Sequence, residues 1–238
     1  MQIKVIVNNV IQNPEFRYAW GLSMFVDGLE EGVLFDTGPD GDILLKNLEL
    51  AGVEPEQIKH IFISHVHLDH VGGLIPLLDV MEHQPVVYIA KSIAEEFEER
   101  VKRHGGKVVR VEDVERLFNG VYSTGQLGIV IVEQAMVIKA NPGLVVLTGC
   151  SHPKISKIVA HVRGNFIDEH IYLVVGGFHL MDKDRDYVLE TMKYLKELGV
   201  EKISPSHCSG ELAREVAKEV FGEDNYIDSG AGAVINIE

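Results

Sequence analysis

Residues 64–73 read Ser-His-Val-His-Leu-Asp-His-Val-Gly-Gly and bring His65, His67, Asp69 and His70 into six consecutive positions. Imidazole nitrogen suits zinc, iron or manganese, and a carboxylate adds a harder oxygen donor. The run follows Ile61-Phe62-Ile63, an apolar triplet that reads as the end of a buried strand. In extended chain, residues two apart point the same way. His65, His67 and Asp69 are therefore expected to share one face until the chain turns. His70 then comes from the turn and can address a second ion. Gly72 and Gly73 remove side-chain bulk where a helix must start beside the ions. The competing account is a polar loop rich in histidine by chance. The ordered spacing, between an apolar strand and a glycine pair, weighs against it.

Three further histidines follow apolar runs in short glycine-containing loops. His152 lies in Thr148-Gly149-Cys150-Ser151-His152, His179 in Gly176-Gly177-Phe178-His179, and His207 in Pro205-Ser206-His207-Cys208-Ser209-Gly210. Loops at strand ends are where a sheet scaffold holds chemistry. His152 and His207 read as metal ligands, since a site of this type needs completion from elsewhere in the fold. His179 is open between ligand, proton donor and substrate contact. Cys150 is open between a thiolate ligand, even a bridging one, and a small packed thiol. Cys208 reads as a buried neighbour of a ligand. Asp36, in Phe35-Asp36-Thr37-Gly38, can orient a metal-bound imidazole through the ring's second nitrogen, or simply form a turn. His60, His83, His104, His161 and His170 show no partner pattern and read as ordinary.

Positioning these groups requires alternating strands and helices. Strands are expected at Gln2–Val7, Gly21–Val26, Gly32–Phe35, Lys59–Ser64, Val86–Ile89, Val108–Val111, Val121–Ser123, Gly128–Val132, Ala135–Lys139, Leu144–Leu147, Ile171–Val175, near Lys202-Ile203-Ser204 and at Gly232–Ile237. Helices are expected from Asp40 to Gly52, after a Ser92-Ile93-Ala94-Glu95 capping box as far as Gly105, from Ile155 to Gly164, from Asp184 to Leu198, and in a last segment ending near Gly222. The front is strand-rich and the back alternates, which fits two sheets with helices outside. One domain, 1–238, is expected.

Composition narrows the function classes. The chain of 238 residues has 22 basic and 36 acidic side chains, a net charge of −14. Such a surface repels phosphate backbones and anionic membranes, so nucleic acid is a disfavoured partner. No apolar run approaches the length needed to span a bilayer. No basic segment followed by an apolar stretch opens the chain. Two cysteines, Cys150 and Cys208, suit a reducing compartment, and a cytoplasmic protein is expected. The glycine pairs match neither G-x-G-x-x-G nor a P-loop, and there is no Gly-x-Ser-x-Gly elbow.

Phe-Asp-Thr-Gly, then Ser-His-Val-His-Leu-Asp-His-Val-Gly-Gly, then the spaced later histidines resemble the metallo-β-lactamase superfamily. The resemblance implies an α/β (α+β) chain folded as a four-layer αββα sandwich, two mixed sheets with helices on the outer faces. Thr-Gly-Cys-Ser-His-Pro, Gly-Gly-Phe-His-Leu and Pro-Ser-His-Cys-Ser-Gly resemble a narrower group. That group is named after dihydropterin ribofuranosyl-aminobenzene phosphate synthase and includes metal-dependent hydrolases. By resemblance, His65, His67 and His152 hold a first ion, and Asp69, His70 and His207 a second. Cys150 stands where most superfamily members have a bridging Asp.

The expected activity is metal-dependent hydrolysis or transfer on a small, phosphorylated, pterin-like or otherwise anionic substrate. One or two divalent ions are expected, zinc foremost, with manganese or iron compatible with the same donors. Water activated by the metal is the expected nucleophile. Asp69 is expected to orient it and His179 to protonate the leaving group. The alternatives are a phosphodiesterase or nuclease and, from another class, a non-catalytic metal-bound sensor or binding module.

Overall fold

The computed structural model describes all residues 1–238, which divide into two compact units. The first comprises Met1–Glu112 with Gly230–Ile237, the second Asp113–Ser229 with Glu238. Each is built around one mixed sheet.

In the first unit the strands are β1 (Gln2–Val7), β2 (Ser23–Asp27), β3 (Gly32–Phe35), β4 (Ile58–Phe62), β5 (Val86–Ala90), β6 (Lys107–Val111) and the C-terminal β13 (Val234–Asn236). Their order is β13-β1-β2-β3-β4-β5-β6. From β13 to β3 the neighbours are antiparallel; from β3 to β6 they are parallel. Parallel neighbours need a crossover. It is supplied by α1 (Gly41–Leu50), then α2 (Leu68–Val71) with α3 (Leu74–Val80), then α4 (Glu95–Arg103). Asp40 caps α1 by accepting from the Ile43 amide, and Leu44 and Leu48 bury its apolar side. Phe35 and Phe62 are register partners at the ends of β3 and β4, with rings stacked 5.4 Å apart and fully buried. Both strands stop there, immediately before Asp36 and Ile63-Ser64.

The second unit has β7 (Glu115–Phe118), β8 (Val121–Ser123), β9 (Met136–Ala140), β10 (Gly143–Thr148), β11 (Ile171–Gly177) and β12 (Val200–Ser206). The order is β12-β11-β10-β9-β8-β7, parallel from β12 to β10 and antiparallel beyond. The parallel crossovers are α5 (Ile155–Asn165) and α6 (Arg185–Glu197); α7 (Glu211–Phe221) follows β12. Val146 and Val174 from the sheet pack with Ile158, Val162, Met192 and Val216 from the three helices in one buried core. With β10, β11 and β12 parallel, their carboxyl ends lie on one edge. In open α/β sheets that edge is where ligands bind.

Two expectations fail locally, and one strand is additional. Gly128–Val132 is not a strand. Leu127 and Glu133 pair across an isolated bridge, and the residues between them form an exposed tip. The run is apolar, but Ile129 and Val130 are each 96% exposed, so it has no sheet face to enter. The expected capping box at Ser92 does not cap α4, whose N-cap is Ala94 with no side-chain bond. The strand β7 was not expected, because Glu115 and Arg116 make it polar and exposed at the edge of its sheet.

Candidate metal centre

In the first unit the site grows from the ends of β3 and β4. The chain leaves β4 after Phe62, and His67 is already the N-cap of α2. Asp69 and His70 therefore lie in the first turn of that helix, not on an extended face shared with His65 and His67. His65 and His70 are buried, Asp69 is partly covered, and His67 is exposed.

Asp36 organises this turn. It is fully buried, and its φ of 53° is rare for a residue with a side chain. Its carboxylate accepts from the Ser64 amide at 2.7 Å, from Ser64 Oγ at 2.7 Å and from His70 Nδ1 at 2.7 Å. Ser64 Oγ also lies 2.9 Å from His65 Nδ1. Ser64 gives its only hydroxyl hydrogen to Asp36, so at His65 the ring must be the donor. Asp36 likewise takes the Nδ1 proton of His70. Both rings are held with Nδ1 protonated and the Nε2 lone pair turned toward the other ligand-type groups.

The donor set fits a bound ion. His65 Nε2 lies 3.1 Å from His67 Nδ1. Two nitrogens on a tetrahedral ion with bonds of about 2.0 Å stand about 3.3 Å apart. The same approach serves as a hydrogen bond in the bare protein. His70 Nε2 is 3.7 Å from Asp69 Oδ2, also within the span of one ion's ligands. The glycine pair permits this packing. A Cβ on Gly72 would lie 1.9 Å from the Pro39 carbonyl oxygen, and one on Gly73 would lie 2.3 Å from that of Thr37.

In the second unit the loops after β10, β11 and β12 are laced together. Ser151 Oγ donates to the Gly177 carbonyl at 2.7 Å, and Ser209 Oγ accepts from the Phe178 amide at 3.0 Å. Cys208 Sγ donates to the Cys150 carbonyl at 3.6 Å. Potential ligand atoms of Cys150, His152 and His179 lie within 4.8 Å of one another, and those of Cys150 and His207 are equally close. Cys150 and Cys208 are both buried and form no disulfide. The Cys208 thiol is held well below its ordinary range by hydrogen bonding to Cys150 and, against the opposing effect of burial, by His179. The same Cys208 contact raises His179 above the usual imidazole range.

Five residues other than glycine have positive φ: Asp36, Ser151, Lys154, His179 and His207. Each follows the end of β3, β10, β11 or β12. Backbone in this region is costly and persists where the surroundings impose it. Such strain concentrates at functional sites, and here three of the five, Asp36, His179 and His207, are residues singled out by their chemistry.

The sequence reading missed Glu133. Its fully buried carboxylate accepts from the amides of Cys150 at 2.9 Å, Ser151 at 2.8 Å and His152 at 2.9 Å. One side chain thus fixes the backbone of the entire Cys150–His152 loop. The available signal was an acidic residue closing the apolar run Ile129-Val130-Ile131-Val132. The five histidines read as ordinary have partners in other parts of the fold. For example, His60 pairs with Glu31 at 2.7 Å and His170 with Glu201 at 2.6 Å.

The model of the metallo-beta-lactamase superfamily matches residues 21–207. The 7,8-dihydropterin-6-methyl-4-(beta-D-ribofuranosyl)-aminobenzene-5'-phosphate synthase of Methanocaldococcus jannaschii is 29% identical over 260 aligned positions, spanning 89% of this chain and 88% of that protein. The crystal structure of Tm1679, a metal-dependent hydrolase of the beta-lactamase superfamily, superposes with a TM-score of 0.84 at 30% identity, over 100% of this chain and 99% of that one. The sandwich expected from the sequence is the fold shared with that structure. A shorter likeness, 35% identity over 72 residues, links 30% of this chain to 22% of ribonuclease Z from Nanoarchaeum equitans.

Proposed function

This chain belongs to the metallo-β-lactamase superfamily, and on that premise we propose that it is a metal-dependent enzyme acting by hydrolysis or transfer on a small phosphorylated substrate. In this reading both units work as one domain. His65, His67 and His152 hold one ion; Asp69, His70 and His207 hold a second, with Cys150 beside it. Zinc suits the nitrogen-rich set best; manganese and iron are the other candidates. When bound, such ions supply an acidified water and positive charge for a phosphoryl or carbonyl oxygen. The protein's own part is orientation. Asp36 and Ser64 fix the two buried rings, Asp69 directs the attacking water, and His179 hands a proton to the leaving group.

The observation that carries this reading is the proton arrangement around Asp36. Its hydrogen bonds leave His65 and His70 each with Nε2 as an acceptor. The Nε2 lone pair is the atom an imidazole in that tautomer offers to a metal ion. The superfamily match spans residues of both units, as the ligand sets require. A phosphorylated substrate is supported by the Methanocaldococcus relative, a synthase whose product carries a 5'-phosphate.

The second reading is phosphodiester cleavage, supported by the short likeness to ribonuclease Z and opposed by the net charge of −14. No helix is long and apolar enough to cross a membrane. The two unbridged cysteines suit the reducing cytoplasm, where we place the enzyme.

The test is elemental analysis of the purified protein, followed by turnover of phosphate mono-, di- and cyclic esters and of RNA. One or two ions per chain, with His67→Ala losing metal and turnover together, is the expected result. Efficient RNA cleavage would favour the second reading. Full metal loading with no turnover of any substrate would favour a sensor or binding module.

A further inference from the structure

The tip between Leu127 and Glu133 presents two branched aliphatic side chains to water, Ile129 and Val130, each 96% exposed. The tip is nevertheless anchored. Leu127 and Glu133 exchange both backbone hydrogen bonds, at 2.8 and 2.9 Å. The Glu133 side chain holds the Cys150–His152 backbone. Gly128, at φ +93°, sits so close that an added Cβ would stand 3.3 Å from Pro153 Cγ. The apolar tip is thus fixed beside His152.

Between the tip and the start of α5 lies a cavity of about 490 Å³, lined among others by Ile129, Val130, His152, Lys154, Lys157 and His179. That is within the usual size of small-molecule sites, which run from about 300 to 1,000 Å³. Lys154 and Lys157 are exposed, and no carboxylate pairs with either; the Lys154 ammonium lies 5.9 Å from the centre of the Tyr187 ring, a contact that leaves its charge unneutralised. In a chain with 36 acidic residues, two unneutralised lysines lining one cavity are a local exception. Lys154 is held there at φ +81°, as the N-cap residue of α5. Lys157 follows three positions later, so both rise from the first turn of that helix. The cavity lining therefore combines apolar side chains, two cations and the two histidines already given a role in the proposed chemistry, whose rings are 4.6 Å apart.

We propose that this cavity is the substrate-specificity subsite: Ile129 and Val130 cover a planar apolar body such as an aryl ring, and Lys154 and Lys157 bind an anionic phosphate monoester attached to it. The proposal rests on the metal-enzyme reading above and deepens it. Apolar contact and charge complementarity act on different parts of one molecule, so neither inorganic phosphate nor a neutral aryl alcohol satisfies both.

The experiment uses the full-length, metal-loaded protein and measures binding of 1-naphthyl phosphate, inorganic phosphate and 1-naphthol by calorimetry. Wild type is expected to bind naphthyl phosphate at least tenfold more tightly than either fragment. Ile129→Ser/Val130→Ser, at surface positions that bury nothing, should abolish that preference and leave the affinity for inorganic phosphate unchanged. Lys154→Ala/Lys157→Ala should weaken both phosphates about tenfold. Metal content should be unchanged in both variants. Equal binding of naphthyl phosphate and inorganic phosphate by wild type would overturn the subsite. So would a tip variant that binds naphthyl phosphate normally but converts a dimer to a monomer in sedimentation, because the tip would then be an interface between copies. Failure of the metal-enzyme reading looks different: no metal and no turnover, with the naphthyl phosphate preference and its loss in the variants intact.

Discussion

Asp36 and His70, both completely buried, are joined by a 2.7 Å bond from imidazole Nδ1 to carboxylate. They are 34 residues apart in sequence; Asp36 directly follows β3, and His70 lies in α2, the short helix reached by the loop after the neighbouring parallel strand β4. Asp36 carries two more donors from Ser64, so its charge is spread over three hydrogen bonds. Asp36→Asn replaces one acceptor oxygen with a donor facing other donors. The expected loss is about 1–3 kcal/mol of stability and roughly 10–100-fold in metal affinity. Thermal melts of the metal-free protein and competitive chelator titration measure the two separately. Unchanged affinity would show that His70 needs no orientation by Asp36.

Glu133→Gln tests the anchor in the second unit. The carboxylate serves three amides through two oxygens; glutamine offers one acceptor oxygen and an amino group that faces the donors. Destabilisation of about 1–3 kcal/mol is expected, with faster hydrogen exchange at Cys150, Ser151 and His152. Protection identical to wild type would mean that the loop holds its shape by other means.

Cys150→Ser and His179→Ala separate ligand from proton donor. Cys150 is 4% exposed and within ligand distance of His152, His179 and His207. If the thiol binds metal, serine lowers metal content or affinity; an unchanged chelator titration retires that role. His179 is exposed. Its loss is expected to lower kcat by roughly 10²–10⁴-fold, the usual contribution of a general acid, with metal content retained. Normal turnover would leave His179 a packing residue.

Gly177→Ala probes the close approach of the strand ends. A methyl group there would stand 2.3 Å from the Gly149 carbonyl oxygen and 2.7 Å from Cys208 Sγ. Neither neighbour is the far end of a flexible side chain. Overpacking of about 1–3 kcal/mol is expected, together with weakened metal binding, since the loops bearing His152 and His207 must part. Wild-type melting would show that β10 and β11 can separate without cost.

Most of the scaffold was legible because apolar patterning is local. Ile171 to Val175 reads as a buried strand and forms the body of β11, while Asp184 and Leu198 bracket α6 as expected. Legibility failed where exposure overrode composition. Ile129-Val130-Ile131-Val132 has the residues of a strand, yet it pairs with none, and Ile129 and Val130 stand in water. The ligand-type residues were visible from their types and spacing. Their partners were not, because a hydrogen bond such as Glu133 to His152 joins residues 19 apart through chain reversals that no local pattern encodes.

By itself the sequence determined which side chains are of a type to bind metal, since a histidine or a carboxylate is a potential ligand by its atoms, and most of the segments that become strands and helices, since burial follows hydrophobic period. Tertiary structure alone decided the rest: which nitrogen of His65 and His70 keeps its proton, which residues bear left-handed backbone, and that Glu133 and Asp36 hold the loops. Those properties belong to groups brought within about 3 Å of each other by strand pairing and crossover, and such proximity exists only once the chain has folded.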